Sequence, residues 1–334
     1  MQFLQKLQPH GSGEDKDAPG APRGFRKSVY KAARLGDRDA LEPLLASVAE
    51  ADLEAFLDLH PAAGAADAAD AAASAAAAAS AADAAAPEPP ARMPTPLWAA
   101  AANGRVELVL WLLAAYPGWR DRANPLAQTP LYAAAAFGHA AVVDALADAG
   151  ADARAPAEPV GATPAYIAAS EGFASCVRAL APRLAPAELL APARNGATPL
   201  YAAASNGHLE AVGVMLDALL ARAVEASNKG ERGFEAAHSE LLEARLTTSR
   251  VDPAKNGTTA LWIAAYNGRR EIAALLAERG ARADAPSAAG LTPADAARSR
   301  GHDAIASALT AVCEKQKYTE SVERRNPTKK YAAL

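Results

Sequence analysis

Apolar and polar positions along the chain recur at a fixed interval. Six segments, TPLWAAAANG (95–104), TPLYAAAAFG (129–138), TPAYIAASEG (163–172), TPLYAAASNG (198–207), TALWIAAYNG (259–268) and TPADAARSRG (292–301), are copies of one unit. Their threonines step by 34, 34, 35, 61 and 33 residues, so one interval holds a period plus an insertion. A fixed period of this length predicts stacked supersecondary units. The threonine is placed to cap a helix, and the proline that follows it in five copies suits the first helical position, where no N–H is needed. The glycine predicts a left-handed helix end. Four residues beyond each glycine stand Leu108, Val142, Cys176, Ala211, Ile272 and Ile305, and eight beyond stand Leu112, Leu146, Leu180, Met215, Leu276 and Leu309. These columns share one face of a second helix, and that stripe needs neighbouring units to cover it.

Ser28–Ala46 reads as an earlier unit without Thr-Pro, with Tyr30 in the aromatic slot, Gly36 in the glycine slot and Ala40 and Leu44 in the stripe. The pattern T-P-L-x-x-A-A, then Gly, then a Val/Leu helix, then turns such as Gly150-Ala151-Asp152 and Gly280-Ala281-Arg282 resembles the ankyrin repeat family. The resemblance covers about 27–46 and 91–311. It implies an all-α solenoid of stacked helix-turn-helix units with short β-turn fingers, about six clear repeats plus an N-terminal cap. One departure stands out: the histidine of the family's T-P-L-H is replaced by Trp98, Tyr132, Tyr166, Tyr201 and Trp262, and by Asp295 in the last unit. This aromatic column is either a brace between units or a recognition ladder.

Composition sharpens this picture. Hydrophobic residues make up 51% but aromatics only 5%, so alanine supplies most of the apolar content and the helices must pack closely. The net charge of −4 argues against nucleic-acid binding through phosphate neutralisation. Residues 39–91 hold ten acidic side chains and no Lys or Arg, and 62–86 is an alanine tract interrupted by Asp67, Asp70 and Asp83, which excludes a membrane span there. The expected organisation is a disordered tail (1–26), a capping helix pair (27–46), an acidic Ala-rich insert, linker or degenerate repeat (47–90), the repeat domain (91–313) and a charged tail (314–334). A helical insert is expected near 219–246, with helix two running on through Ala226 and a return helix at Phe234, Ala237, Leu241 and Leu242.

No catalytic constellation is legible: there is no Walker A loop, no H-E-x-x-H and no G-x-S-x-G. His10, His60 and His238 lack ligand spacing, and His139, His208 and His302 follow the repeat glycine, where the family resemblance implies a structural role. Cys176 falls in the apolar stripe as a buried thiol, and Cys313 follows the last helix; two cysteines fit a reducing compartment. No secretory signal is visible in residues 1–25, and Asn256-Gly257-Thr258 reads as a coincidental glycosylation sequon. No cofactor or metal is expected.

The family resemblance implies binding through the two residues before each glycine and through the turn tips. Here the candidates are Asn103, Phe137, Glu171, Asn206, Tyr266 and Asn267, with Arg92, Arg194, Asn195, Lys255 and Asn256 at the tips. Phe137 and Tyr266 are the candidate anchors. The expectation is a non-catalytic scaffold or adaptor, monomeric and cytoplasmic (or nuclear), gripping a protein partner with its concave surface. The alternative is a regulatory protein whose charged tails or helical insert make the contact.

Overall fold

The computed structural model describes residues 25–48, 95–228 and 257–325. Arg92, Lys255, Asn256, the acidic block from 49 onward and the part of the expected 219–246 insert from 229 onward lie outside the described residues. The chain divides into two compact units, Met1–Pro125 and Leu126–Leu334.

The first unit holds α1 (Phe25–Leu35), α2 (Arg38–Ala46), α3 (Pro96–Ala102) and α4 (Val106–Ala115), with a 3-10 turn at Pro117–Trp119. Asp37 opens α2 by accepting a hydrogen bond from Ala40 N at 2.9 Å, and Thr95 opens α3 by accepting from Trp98 N at 3.0 Å. α1 packs on both α2 and α3. Arg105 lies over Gly36, and its Nε donates to Arg34 O at 3.0 Å. The cap departs from the expected stripe by one residue: Leu41 and Leu45 are buried, Ala40 is exposed and Leu44 half-buried. Among the described residues this helix pair has a neighbour on one side only, and part of its stripe stays open.

The second unit pairs α5 (Pro130–Ala136) with α6 (Ala140–Asp148) and α7 (Pro164–Glu171) with α8 (Ala174–Leu180). A 3-10 turn (Ala181–Arg183) and the short α9 (Pro186–Leu189) follow. The remaining pairs are α10 (Pro199–Asn206) with α11 (Leu209–Asn228), α12 (Ala260–Tyr266) with α13 (Arg270–Glu278), and α14 (Pro293–Ser299) with α15 (Asp303–Arg325). The alanine-rich first helices stack as one row, each on the next, and the second helices stack as another. Close approach is possible because the facing residues are alanines: Ala133–Ala136, Ala168–Ala169, Ala202–Ala204 and Ala264–Ala265 are all buried.

Sequence logic holds at the helix starts. Thr129, Thr163, Thr198, Thr259 and Thr292 each accept from the backbone N–H three residues on, at 3.1–3.2 Å. Asp295, where the other units carry an aromatic residue, closes a capping box: its carboxylate accepts from Thr292 N and Oγ1, and the Thr292 hydroxyl holds its pKa below the ordinary aspartate value.

Between helix pairs the chain forms short fingers, closed by 2.9 Å backbone bonds from Ala157 N to Ala162 O, Ala193 N to Ala197 O and Ser287 N to Leu291 O. Glu158 N to Leu126 O and Arg194 N to Val160 O zip neighbouring fingers together. Two residues before the threonine, four fingers carry a left-handed glycine (Gly161, Gly196, Gly257 and Gly290), but the first carries Ala127 at φ 54. A left-handed alanine costs ~1–2 kcal/mol, offset in part by the greater unfolded-state freedom of glycine. Ala127→Gly is therefore expected to raise stability by about 0.5–1 kcal/mol, measured as a higher urea midpoint with unchanged slope.

At the C-terminal end the structure corrects the expected tail. α15 runs past Cys313 to Arg325, so 314–325 is helix and Cys313 lies within it. From this extension Gln316 Oε1 accepts from Ala283 N at 3.1 Å and Nε2 donates to Ala281 O at 2.9 Å, tying the helix to the preceding turn. α11 likewise continues through Asn228.

Candidate protein-interaction surface

The residues before each glycine occupy the ends of the first helices, where the chain turns into the second. Asn206 Nδ2 donates to Ser170 O at 2.8 Å and Ser170 Oγ at 3.3 Å; Asn267 repeats this with Ser205 O and Oγ at 3.0 and 3.1 Å. The pre-glycine positions of α7, α10 and α12 thus form one bonded row. In the first unit Asn103 turns inward on its own helix, donating to Ala99 O at 2.8 Å.

The two candidate aromatic anchors are less open than their positions suggested. Phe137 is half-buried. Tyr266 is half-buried and stacked on Trp262, with centroids 5.1 Å apart and planes at 13°, while the Arg300 guanidinium lies 4.8 Å from its ring centre. Arg300, the residue before Gly301, is a member of this row that the sequence reading passed over. The signal was its slot: it stands where Asn206 and Asn267 stand in their units.

Glu171, half-buried at the end of α7, bears on the phenol of Tyr132. Burial first, then the Glu171 and Tyr166 charges, push that phenol up to about 12, so it is a proton donor throughout the neutral range. At the finger tips Arg194 pairs with both carboxylate oxygens of Glu158 and donates to Pro159 O at 3.1 Å. Asn195 is exposed and accepts from Ala197 N at 3.0 Å, shaping its own turn.

The position after each glycine has a packing role that spacing alone did not reveal. Phe173 lies over Gly138, His208 over Gly172, Arg269 over Gly207 and His302 over Gly268. Each side chain covers the bare glycine of the preceding unit. In the aromatic column Trp98, Tyr132, Tyr201 and Trp262 are buried, and Tyr30 and Tyr166 half-buried. Trp262 Nε1 donates to Leu291 O of the next finger at 2.9 Å, and Thr258 Oγ1 to Tyr201 OH at 3.3 Å. At those two positions the column is a brace.

Among the described residues reactive chemistry is sparse. Cys176 is fully buried on α8, and burial pushes its thiol up to about 11. Maleimide on the native protein is expected to label half-buried Cys313 and spare Cys176 until denaturant is added; fast labelling of Cys176 in the folded state would contradict this burial. Among the described residues no His, Cys, Asp or Glu group is arranged to hold a metal, and no helix is long and apolar enough to cross a membrane. A groove of about 470 Å³ on the second-helix row, lined by Arg178, Pro182, Val214, Asp217 and Arg222, lies between α8 and α11 and includes none of the candidate residues.

Comparison with known proteins adds an independent line. The family model for ankyrin repeats matches residues 29–157, 155–228 and 220–319. Among curated proteins none matches the chain. Among solved structures, the crystal structure of the human ASB11 ankyrin repeat domain is similar over 84% of this chain and 96% of that one, with 22% identity and a TM-score of 0.52. At that identity the likeness is one of fold.

Proposed function

The chain belongs to the ankyrin repeat family, whose members are generally protein-interaction modules and typically non-catalytic, and from that premise we propose that it is a scaffold or adaptor binding a protein partner through its concave surface. The observation that carries this reading is the bonded pre-glycine row from Ser170 through Asn206 and Ser205 to Asn267. Side chains fixed to their neighbours lose little entropy when a partner docks, so a modest set of contacts yields useful affinity. Phe137, Glu171 and Tyr266 flank that row, half-buried and half presented, and Asn103 is half-buried in its own unit. On this reading the finger-tip residues Arg92, Arg194, Asn195, Lys255 and Asn256 form the rim. The protein acts as a monomer in the cytoplasm or nucleus, needs no cofactor and does not engage nucleic acid.

A pull-down from native lysate tests this, comparing wild type with a Phe137→Ala, Tyr266→Ala, Asn267→Ala variant after circular dichroism shows equal helicity. A partner held by wild type and lost by the variant supports the concave surface. Equal capture by both moves the contact to the tails or the insert, the alternative reading.

A further inference from the structure

Arginine pairing in the second unit is uneven. On the fingers, Arg154 pairs with Glu188, Arg194 with Glu158 and Arg282 with Asp284. On the second-helix row, Arg178 pairs with Glu210, Arg183 with Asp144 and Asp148, and Arg279 with Asp217. On α14 Arg298 pairs with Asp295, but Arg269, Arg270 and Arg300 have no carboxylate within 4.0 Å among the described residues. All three are exposed, and all three sit at the turns joining α12 to α13 and α14 to α15.

Packing draws these turns together. His302, two residues after Arg300, covers Gly268, the residue before Arg269. Arg269 lies along Gly207, beside Asn206, and Arg300 lies over Tyr266, beside Asn267. The Arg269 and Arg300 guanidiniums therefore border the bonded pre-glycine row, and Arg270 follows Arg269 directly at the start of α13. A guanidinium held by a ring engages its face and leaves its N–H edge for a carboxylate fork. Glu271 and Asp303, in the first turns of α13 and α15, are the nearest acids in sequence, and neither forms an ion pair with these arginines.

Resting on the adaptor reading, we infer that this patch is the docking site for an acidic peptide segment of the partner. The patch is short, flanked by two acids and set in a chain of net charge −4, which disfavours a nucleic-acid backbone, whose binding needs a long run of phosphate contacts. A peptide carboxylate matches the spacing of one or two arginine forks and gains from the aromatic stack beside them.

The test is fluorescence anisotropy with a fluorescein-labelled alternating Glu-Gly peptide at low salt, its Gln-Gly counterpart, and oligothymidylate. Wild type binds Glu-Gly and not Gln-Gly. Arg269→Gln, Arg270→Gln, Arg300→Gln together weaken binding at least about tenfold, whereas Arg154→Gln, Arg282→Gln on the fingers stay within about twofold. Arg300→Glu alone, at an exposed helix end, repeats the loss without touching the Gly207 contact. No binding by wild type, equal binding by the arginine variants, or tighter arginine-dependent binding of oligothymidylate overturns the inference. The lysate variant leaves all three arginines in place, so failure here with partner capture intact removes the acidic chemistry and spares the adaptor reading.

Discussion

Gly172→Ala is expected to destabilise the Leu126–Leu334 unit by about 3 kcal/mol, a substantial part of a margin of about 5–15 kcal/mol. Two separate costs add. Gly172 ends α7 at φ 82, where a non-glycine residue loses ~1–2 kcal/mol. A Cβ there would also stand 2.8 Å from His208 Cγ, and forcing that ring aside costs ~1–3 kcal/mol as overpacking does. Gly290→Ala separates them: at φ 79 with nothing within 4 Å of the added carbon, it carries the backbone cost alone, about 1–2 kcal/mol. The double variant Gly172→Ala, His208→Ala removes the ring and should recover most of the difference. Urea titrations followed by circular dichroism read all three. Equal losses in Gly172→Ala and Gly290→Ala would mean that the ring yields freely and the glycine–histidine contact contributes nothing.

That contact also marks where the sequence stops being readable. The helix starts were legible because capping is local: a threonine and the amide three residues on belong to one turn, and all six repeat threonines cap as their positions require. The stripe was legible in the internal units for the same reason, since Leu112, Leu146 and Leu276 lie on a helix face fixed by its period. The terminal pair broke that rule by one residue, because which side of a stripe is covered depends on a neighbour absent from the local pattern. The cover laid on each glycine by the next unit is likewise long-range: in the chain, Phe173 and His208 look like two unrelated residues after a turn, and only stacking shows that they do the same work. Arg105 over Gly36 and Arg269 over Gly207 repeat the contact across intervals longer than one period, so the helix pairs on either side are direct neighbours.

The bonding of the candidate residues was not legible in the sequence. Its residues lie at the ends of the first helices, but the sequence could not say that Asn206 and Asn267 spend their amide donors on the preceding unit, or that Tyr266 is held between Trp262 and Arg300. Both facts turn a list of exposed polar residues into a surface with fixed geometry. The difference among arginines was hidden for the same reason: charge can be counted along a chain, but pairing depends on which carboxylate folding brings within reach.

The aromatic slot offers the second large effect, through two tryptophans in one position. Trp262 is buried, donates to Leu291 O and stacks on Tyr266, so Trp262→Ala is expected to cost about 4 kcal/mol, from the lost transfer energy and the cavity left behind. Trp262→Phe keeps most of the volume and loses the hydrogen bond, for about 1–1.5 kcal/mol. Trp98 is equally buried, yet its Nε1 has no partner among the described residues, so Trp98→Phe removes a desolvated donor that forms no bond and should be neutral within about 0.5 kcal/mol, or stabilising. Guanidinium unfolding of the three variants, each followed by helix signal, decides this. If Trp98→Phe costs as much as Trp262→Phe, the hydrogen bond to the following finger is not what distinguishes the two positions, and shape alone governs the slot. If the difference appears, Trp262 joins the finger, the core and the Tyr266–Arg300 stack in one side chain, and losing it should weaken acidic-peptide binding even where the unit remains folded.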